Sequence, residues 1–225
     1  RSSEPRKARE YALQAHEQAK DIQYHSGLAS SYIRLGLLAK NEADYPTARK
    51  YYEAGLELRK EIGVNQDIAS CYNVLGVMEK LQENHQKAKN YFEKGLVILE
   101  EEPPSSLKGK LYNNLGTSLK YLGESDSAFQ SFAQSLAIRD SLGDEKGMAF
   151  VLLNMGFLLQ DIGNYSLAEE YAIRSLLLFE ASQEQGGQAK CYNLLGNNAF
   201  FQEKFKEASS WYDKASESKW TIPRN

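Results

Sequence analysis

The chain has little with which to build a catalytic or metal centre. Its 225 residues include two cysteines, three histidines, five prolines and two tryptophans, and 27 lysines and arginines face 30 aspartates and glutamates. His16, His25 and His85 show no metal-ligand spacing to one another or to a cysteine, so no zinc or nucleophilic set is expected. A net charge of -3 provides no basic field to hold nucleic acid. No apolar run approaches the roughly 20 residues of a membrane span; the nearest, Met148 to Leu159, is broken by Asn154 and Gly156. The first residue is Arg1 rather than Met, so the lack of a visible targeting segment leaves the compartment open. We expect no enzyme and no cofactor.

What the chain does have is a period. Gly36, Gly76, Gly116, Gly156 and Gly196 follow one another at forty-residue steps, each after Leu or Met. A fixed interval of this size marks a repeat array, in which each unit packs mainly on its neighbours. The surrounding pattern is helical, where glycine costs about 1 kcal/mol relative to alanine. Five such costs at matching positions predict that another backbone comes close at each. Cys71 and Cys191 share one repeat position three units apart, too far for the roughly 7 Å between Cα atoms that a disulfide bridges. Both are read as small apolar residues on helices.

Each unit divides into two helices. In the first full unit, one helix is expected over about 27–41, with Tyr32, Leu35, Gly36 and Ala39, and a second over about 45–61, with Ala48, Tyr52 and Gly55. The turns inside units fall at Ala43-Asp44, Glu83-Asn84, Gly123-Glu124, Gly163-Asn164 and Glu203-Lys204. Asp44, Asn84 and Asn164 are expected to cap the helices that follow. Leu142-Gly143-Asp144 reads as a glycine stop and an aspartate start, and Pro103-Pro104 as the corresponding break between units two and three. Residues 4–24 read as the second helix of a unit whose first helix is missing, and hence as part of a longer protein. Full units are expected at 27–63, 64–102, 103–142, 143–182 and 183–219, with 220–225 as a tail, all in one elongated domain.

These residues resemble the tetratricopeptide repeat. The first-helix aromatic is Tyr32, Tyr72, Tyr112 and Tyr192, with Leu152 in the fourth unit; the second-helix alanine is Ala48, Ala88, Ala128, Ala168 and Ala208. The aromatic four residues on is Tyr52, Phe92, Phe132 and Tyr212, with Ala172 the exception. Two departures stand out: the period is 40 rather than 34, and the terminal proline is replaced by Lys60, Glu100, Asp140 and Glu180. Second helices are therefore expected to run on. The resemblance implies an all-α, right-handed superhelical solenoid of antiparallel helix pairs, five full repeats plus an N-terminal half repeat. Among long-period members the chain is most similar to bacterial sensor and signalling proteins, with peptide-pheromone receptors as an alternative.

In this family the first helices line a concave groove, which implies where a partner would lie. The positions carried over are Asn73 in unit two; Lys110, Asn113, Asn114, Thr117 and Lys120 in unit three; Phe150, Leu153, Asn154 and Phe157 in unit four; and Lys190, Asn193 and Asn197 in unit five. A ladder of asparagine amides can donate to and accept from an extended peptide backbone, or else the amides bond one another or water. Phe150, Leu153 and Phe157, with Phe200 and Phe201 one unit on, either seat an apolar anchor or belong to the packing between units. The family's clamp for a C-terminal carboxylate is not rebuilt, because Ile33, Asn73, Asn113, Leu153 and Asn193 stand where it needs lysine. The implied partner is a peptide or protein segment held without chemistry. Self-association through the truncated end is the other reading.

Overall fold

The computed structural model describes residues 3–220, which form eleven α-helices: α1 Ser3–Asp21, α2 His25–Asn41, α3 Tyr45–Ile62, α4 Asn65–Leu81, α5 His85–Ile98, α6 Ser106–Tyr121, α7 Ser125–Ser141, α8 Glu145–Asp161, α9 Tyr165–Ala181, α10 Gln185–Phe201 and α11 Phe205–Trp220. The even-numbered helices are the first helices of pairs and the odd-numbered ones the second. Two compact units divide between Pro103 and Pro104. In the N-terminal unit each of α1 to α5 packs against the next. In the C-terminal unit α6 to α11 do the same, and the first helix α8 also touches the first helices α6 and α10. This is the helical solenoid arrangement of stacked pairs. Of the expected tail at 220–225, Trp220 is instead the last residue of α11, and 221–225 lie outside the described residues.

The repeated glycines are explained by rings rather than by backbone. A Cβ on Gly36 would stand 2.5 Å from the Tyr52 ring, one on Gly116 2.7 Å from the Phe132 ring, and one on Gly196 2.6 Å from the Tyr212 ring. Gly76 meets Phe92 in the same way. Each pair thus closes by pushing the second-helix aromatic into the notch that glycine leaves. The expected close backbone is a lesser feature, seen as the Ala128 carbonyl 3.1 Å from the Gly116 Cβ position. Gly156 has no such ring, since Ala172 stands there; Leu194 of α10 fills the notch instead, 2.7 Å from the Cβ position.

Turn chemistry is uniform in shape but not in sequence. Ala43, Glu83 and Glu203 adopt φ of 61°, and Gly123 and Gly163 adopt 79°, all at one repeat position. Asp44, Asn164, Asp144 and Ser105 accept hydrogen bonds from the backbone N–H groups of Thr47, Leu167, Gly147 and Lys108 and so cap α3, α9, α8 and α6. Asn84 makes no cap bond to α5. Its amide donates instead to buried Glu79 Oε2 at 3.0 Å, because that carboxylate, fully removed from water and ion-paired with Arg49, requires every donor within reach.

One second helix does not run on. α5 ends at Ile98 after 14 residues, whereas α3 has 18 and α7 and α9 have 17 each. Pro103 and Pro104 lack N–H donors and disfavour helix in the residue before them, so the segment from Leu99 to Ser105 turns instead. Glu100 consequently sits in a turn rather than in a lengthened helix.

Candidate functional site

The first helices of the C-terminal unit bring several of the implied residues together. The Asn154 amide on α8 donates to Asn113 Oδ1 on α6 at 2.9 Å. Near one end of the two helices, Lys120 Nζ donates to Asp161 Oδ2 at 2.6 Å and lies 4.8 Å from the Tyr121 ring centroid. Thr117 turns its hydroxyl onto the Asn113 carbonyl at 2.9 Å, a local helix bond. Asn114 and Asn193 are half-buried and Lys110 and Lys190 exposed. The Asn113–Asn154 bond uses one oxygen of the first amide and one hydrogen of the second, so the Asn113 NH2 and the Asn154 carbonyl take no part in it.

Other implied residues are placed differently. Leu153 is 2% exposed and belongs to an apolar cluster with Ala149, Ala172, Phe179, Leu194 and Leu195. Phe157 is half-buried against that cluster. Phe150 packs edge-on to Phe179 at 4.8 Å between centroids, with Lys190 Nζ 6.0 Å from its own centroid. Asn197 accepts from the Tyr212 hydroxyl at 2.9 Å, which ties it to the glycine notch of its own pair. In the N-terminal unit Asn73 is half-buried. Lys80, on the same helix, has its ammonium pKa lowered by burial.

Phe200 and Phe201 remain open, at 51% and 56% exposure. With Phe205 and Tyr165 they form a ring cluster: Phe200 meets Phe205 at 5.7 Å and Phe201 at 6.0 Å, and Phe201 stacks on Tyr165 at 5.6 Å with 17° between planes. They occupy on α10 the repeat positions that Lys120 and Tyr121 hold on α6 and that Gln160 and Asp161 hold on α8. Lys120 and Asp161 pair with each other at these positions, Tyr121 is an exposed ring and Gln160 is buried, so only α10 presents two open rings there.

Sequence reading missed the buried polar residues beneath this face. The Gln160 amide donates to Asn198 Oδ1 at 2.7 Å and reaches the Leu194 carbonyl at 3.4 Å; Asn198 is 1% exposed and its own amide nitrogen has no partner. The signal was present at the second position after each glycine, which reads Leu38, Met78, Ser118, Leu158 and Asn198. Both polar members are buried. The two cysteines are buried, and desolvation pushes each thiol up to about 11. Among the described residues no group of His, Cys, Asp and Glu is placed to hold a metal ion, and no helix is long and apolar enough to cross a membrane.

Comparison with known proteins places this architecture. The sequence profile of the tetratricopeptide repeat matches residues 27–101, 67–141 and 147–219. No curated protein matches the chain. The crystal structure of BtubC (BKLC) from P. vanneervenii is similar at a TM-score of 0.87 and 20% identity, over 100% of this chain and 96% of that one. A Rap protein complexed with competence and sporulation factor aligns at a TM-score of 0.73 and 16% identity, over 86% of this chain and 54% of that one. YrrB, described as having an unusual peptide-binding site, aligns at 0.58 and 21% identity over 92% and 94%. At these identities the structures speak for the fold, and with the profile covering most of the sequence the chain belongs to the tetratricopeptide repeat family.

Proposed function

We propose that the chain is a non-enzymatic binding module that takes a peptide or protein segment along the first-helix face of its C-terminal unit, as the interaction or sensing part of a bacterial signalling protein. The observation that carries this reading is the exposure of Phe200 and Phe201 at 51% and 56%, in repeat register with Lys120 and Tyr121 of α6 and Asp161 of α8. Rings left half open in this way gain about half of the roughly 1.5–3 kcal/mol that burying a whole side chain provides when a partner covers them. The amides of Asn113 and Asn154 add about 0.5–1.5 kcal/mol per net hydrogen bond, so apolar contact sets the affinity and the amides set the register of an extended backbone. Lys110 and Lys190, both exposed, favour acidic flanks. Leu153 and Phe157 support the face from beneath, and Phe150 contributes its outer edge beside Lys190. The Rap complex and YrrB, which share the fold, support the choice of a peptide as the partner class.

The test is a peptide-display selection on the intact chain, followed by affinity measurements on variants. Phe201→Ala is expected to weaken selected peptides by about tenfold, the equivalent of 1.4 kcal/mol. Asn113→Ala with Asn154→Ala is expected to weaken them less and to relax their spacing preference. Selected peptides that bind both variants as tightly as the parent chain would refute the reading.

A further inference from the structure

The turns inside the helix pairs of the C-terminal unit follow one another along one edge, and that edge carries open apolar residues. Tyr121 at the end of α6 is 62% exposed and Ile162, just past α8, is 55% exposed; Phe201 at the end of α10 continues the series. Close contacts join them: Lys120, beside Tyr121, reaches Asp161, the neighbour of Ile162, and Phe201 stacks on Tyr165 at the start of α9. This openness belongs to the repeat position, whatever a pair's place in the chain. Asn41 and Leu81, at the position of Tyr121 and Phe201 in the N-terminal unit, are exposed too.

Charge along the edge is graded. At the starts of α7, α9 and α11 the same two repeat positions read Glu124 and Asp126, then Asn164 and Ser166, then Lys204 and Lys206. The order runs from acidic through neutral to basic, with Ile162 in the middle and a ring toward either end. Such an order is complementary to itself when reversed. A copy turned end over end about an axis at the α8–α9 turn sets the acidic start of α7 against the basic start of α11. It also sets Tyr121 against Phe201 and lets Ile162 meet its own image. Glu203 and Glu207 stand at the basic end as well, but Glu207 accepts from Trp211 Nε1 at 3.4 Å, and Glu203 comes opposite Gly123 in the reversed order.

Area and sign both favour a second copy. At about 200 Å² per aromatic side chain, the open parts of Tyr121, Ile162 and Phe201, with half-buried Tyr165, present on the order of 400 Å² of apolar surface. That is most of the apolar share of a standard interface of about 800 Å² per partner. A partner of one charge meets its own sign at one end of the edge, whereas a reversed copy meets the opposite sign at both. We infer that this turn edge docks a second copy of the chain across a two-fold axis at Ile162, with Lys204 and Lys206 of each copy facing Glu124 and Asp126 of the other. Phe201 belongs also to the groove reading above, so a segment covering that ring and a second copy exclude one another.

Sedimentation equilibrium on the intact chain should show the mass rising from 25.4 kDa toward twice that as the concentration approaches about 200 µM. Ile162→Arg sets a charge against its own image at the axis and should weaken the dimer at least tenfold. Lys204→Glu with Lys206→Glu, and separately Glu124→Lys with Asp126→Lys, should each weaken it at least tenfold, because like charges then face each other at both ends. Mixed, these two double variants should form a heterodimer about as tight as the parent dimer, since every facing pair regains opposite sign. All five positions are exposed or half-buried at helix ends and turns, so the fold is retained. A parent chain that stays monomeric, variants that dimerise as tightly as the parent, or a mixture no tighter than its separate components overturns the proposal. So does a mass that climbs past twice that of the chain, which would mean a head-to-tail contact between unlike surfaces. None of these substitutions removes a residue on which the groove reading rests, so peptide affinity measured on Ile162→Arg tests that reading by itself.

Discussion

Arg139 and Phe179 stand forty residues apart, near the ends of consecutive second helices, and fill the same hollow with opposite chemistry. Arg139 is 7% exposed and Phe179 fully buried. Opposite each is a glycine at the start of the next first helix: a Cβ on Gly147 would collide with the Arg139 guanidinium, and one on Gly187 would stand 2.5 Å from the Phe179 ring. The backbone closes identically, with Asp144 N–H donating to the Arg139 carbonyl and Glu184 N–H to the Phe179 carbonyl, both at 2.9 Å. Arg139 pairs with Asp144, which also caps α8, while Phe179 is met edge-on by Phe150. What the joint between pairs demands is filled volume against a bare backbone. Charge is one way of satisfying that demand and an aromatic ring is another.

The comparison is broken most severely by emptying the apolar joint. Phe179→Ala removes a ring that Ala149, Leu176 and Cys191 surround, and a cavity of that size costs about 3–5 kcal/mol. Urea denaturation of the whole chain should show the loss as a lowered midpoint. A loss below about 1 kcal/mol would mean that the neighbours collapse into the space and that the ring is not the filler. Near-ultraviolet circular dichroism on the same variant separates a local collapse from a loosened unit.

The glycines sharpen it. Gly187→Ala pushes a methyl group into a stiff ring held on several sides, whereas Gly147→Ala meets the far end of a flexible side chain. Overpacking against rigid neighbours costs about 1–3 kcal/mol, so Gly187→Ala should fall in that range and Gly147→Ala below it. Thermal unfolding of the two variants side by side reads the difference. Equal costs would show that the backbone approach, common to both joints, outweighs the nature of the filler.

How far the sequence discloses this follows from what a period can carry. It marks positions that recur, so the helices, their turns and the Tyr52, Phe92, Phe132 and Tyr212 series were legible. It does not say which recurring positions meet, so the glycines point to a close backbone although the notches receive those same rings. It also hides positions that recur in volume but not in type: Arg59, Leu99, Arg139 and Phe179 share one register and are all largely buried, yet their chemistry differs too much to look like a series. Face assignment suffers in the interior of an array. α8 is covered by α7 and α9 and also touches α6 and α10, so Leu153 lies in the core at a position that Asn113 holds half-buried on α6. Asn84 looked like a cap because nothing local reveals that Glu79, five residues earlier, is buried and draws its amide.

The smallest effect tests whether charge matters at the ionic joint at all. Arg139→Met keeps most of the volume over Gly109 and Gly147 but removes the guanidinium. Removing one partner of a buried ion pair is costly when it strands the other charge away from water, but here Asp144 retains water, its side chain being 32% exposed, as well as its cap bond to Gly147. Arg139 Nε, moreover, is buried without a partner, a desolvation cost that methionine relieves. The variant should therefore lie within about 1 kcal/mol of the parent, and raising sodium chloride from about 0.1 M to about 0.5 M should shift the parent slightly more than the variant, because screening acts only on the pair that methionine lacks. A loss of several kcal/mol would instead show that the Arg139–Asp144 pair organises the start of α8. The two joints would then differ in kind, one fixed by directed hydrogen bonds and the other by volume.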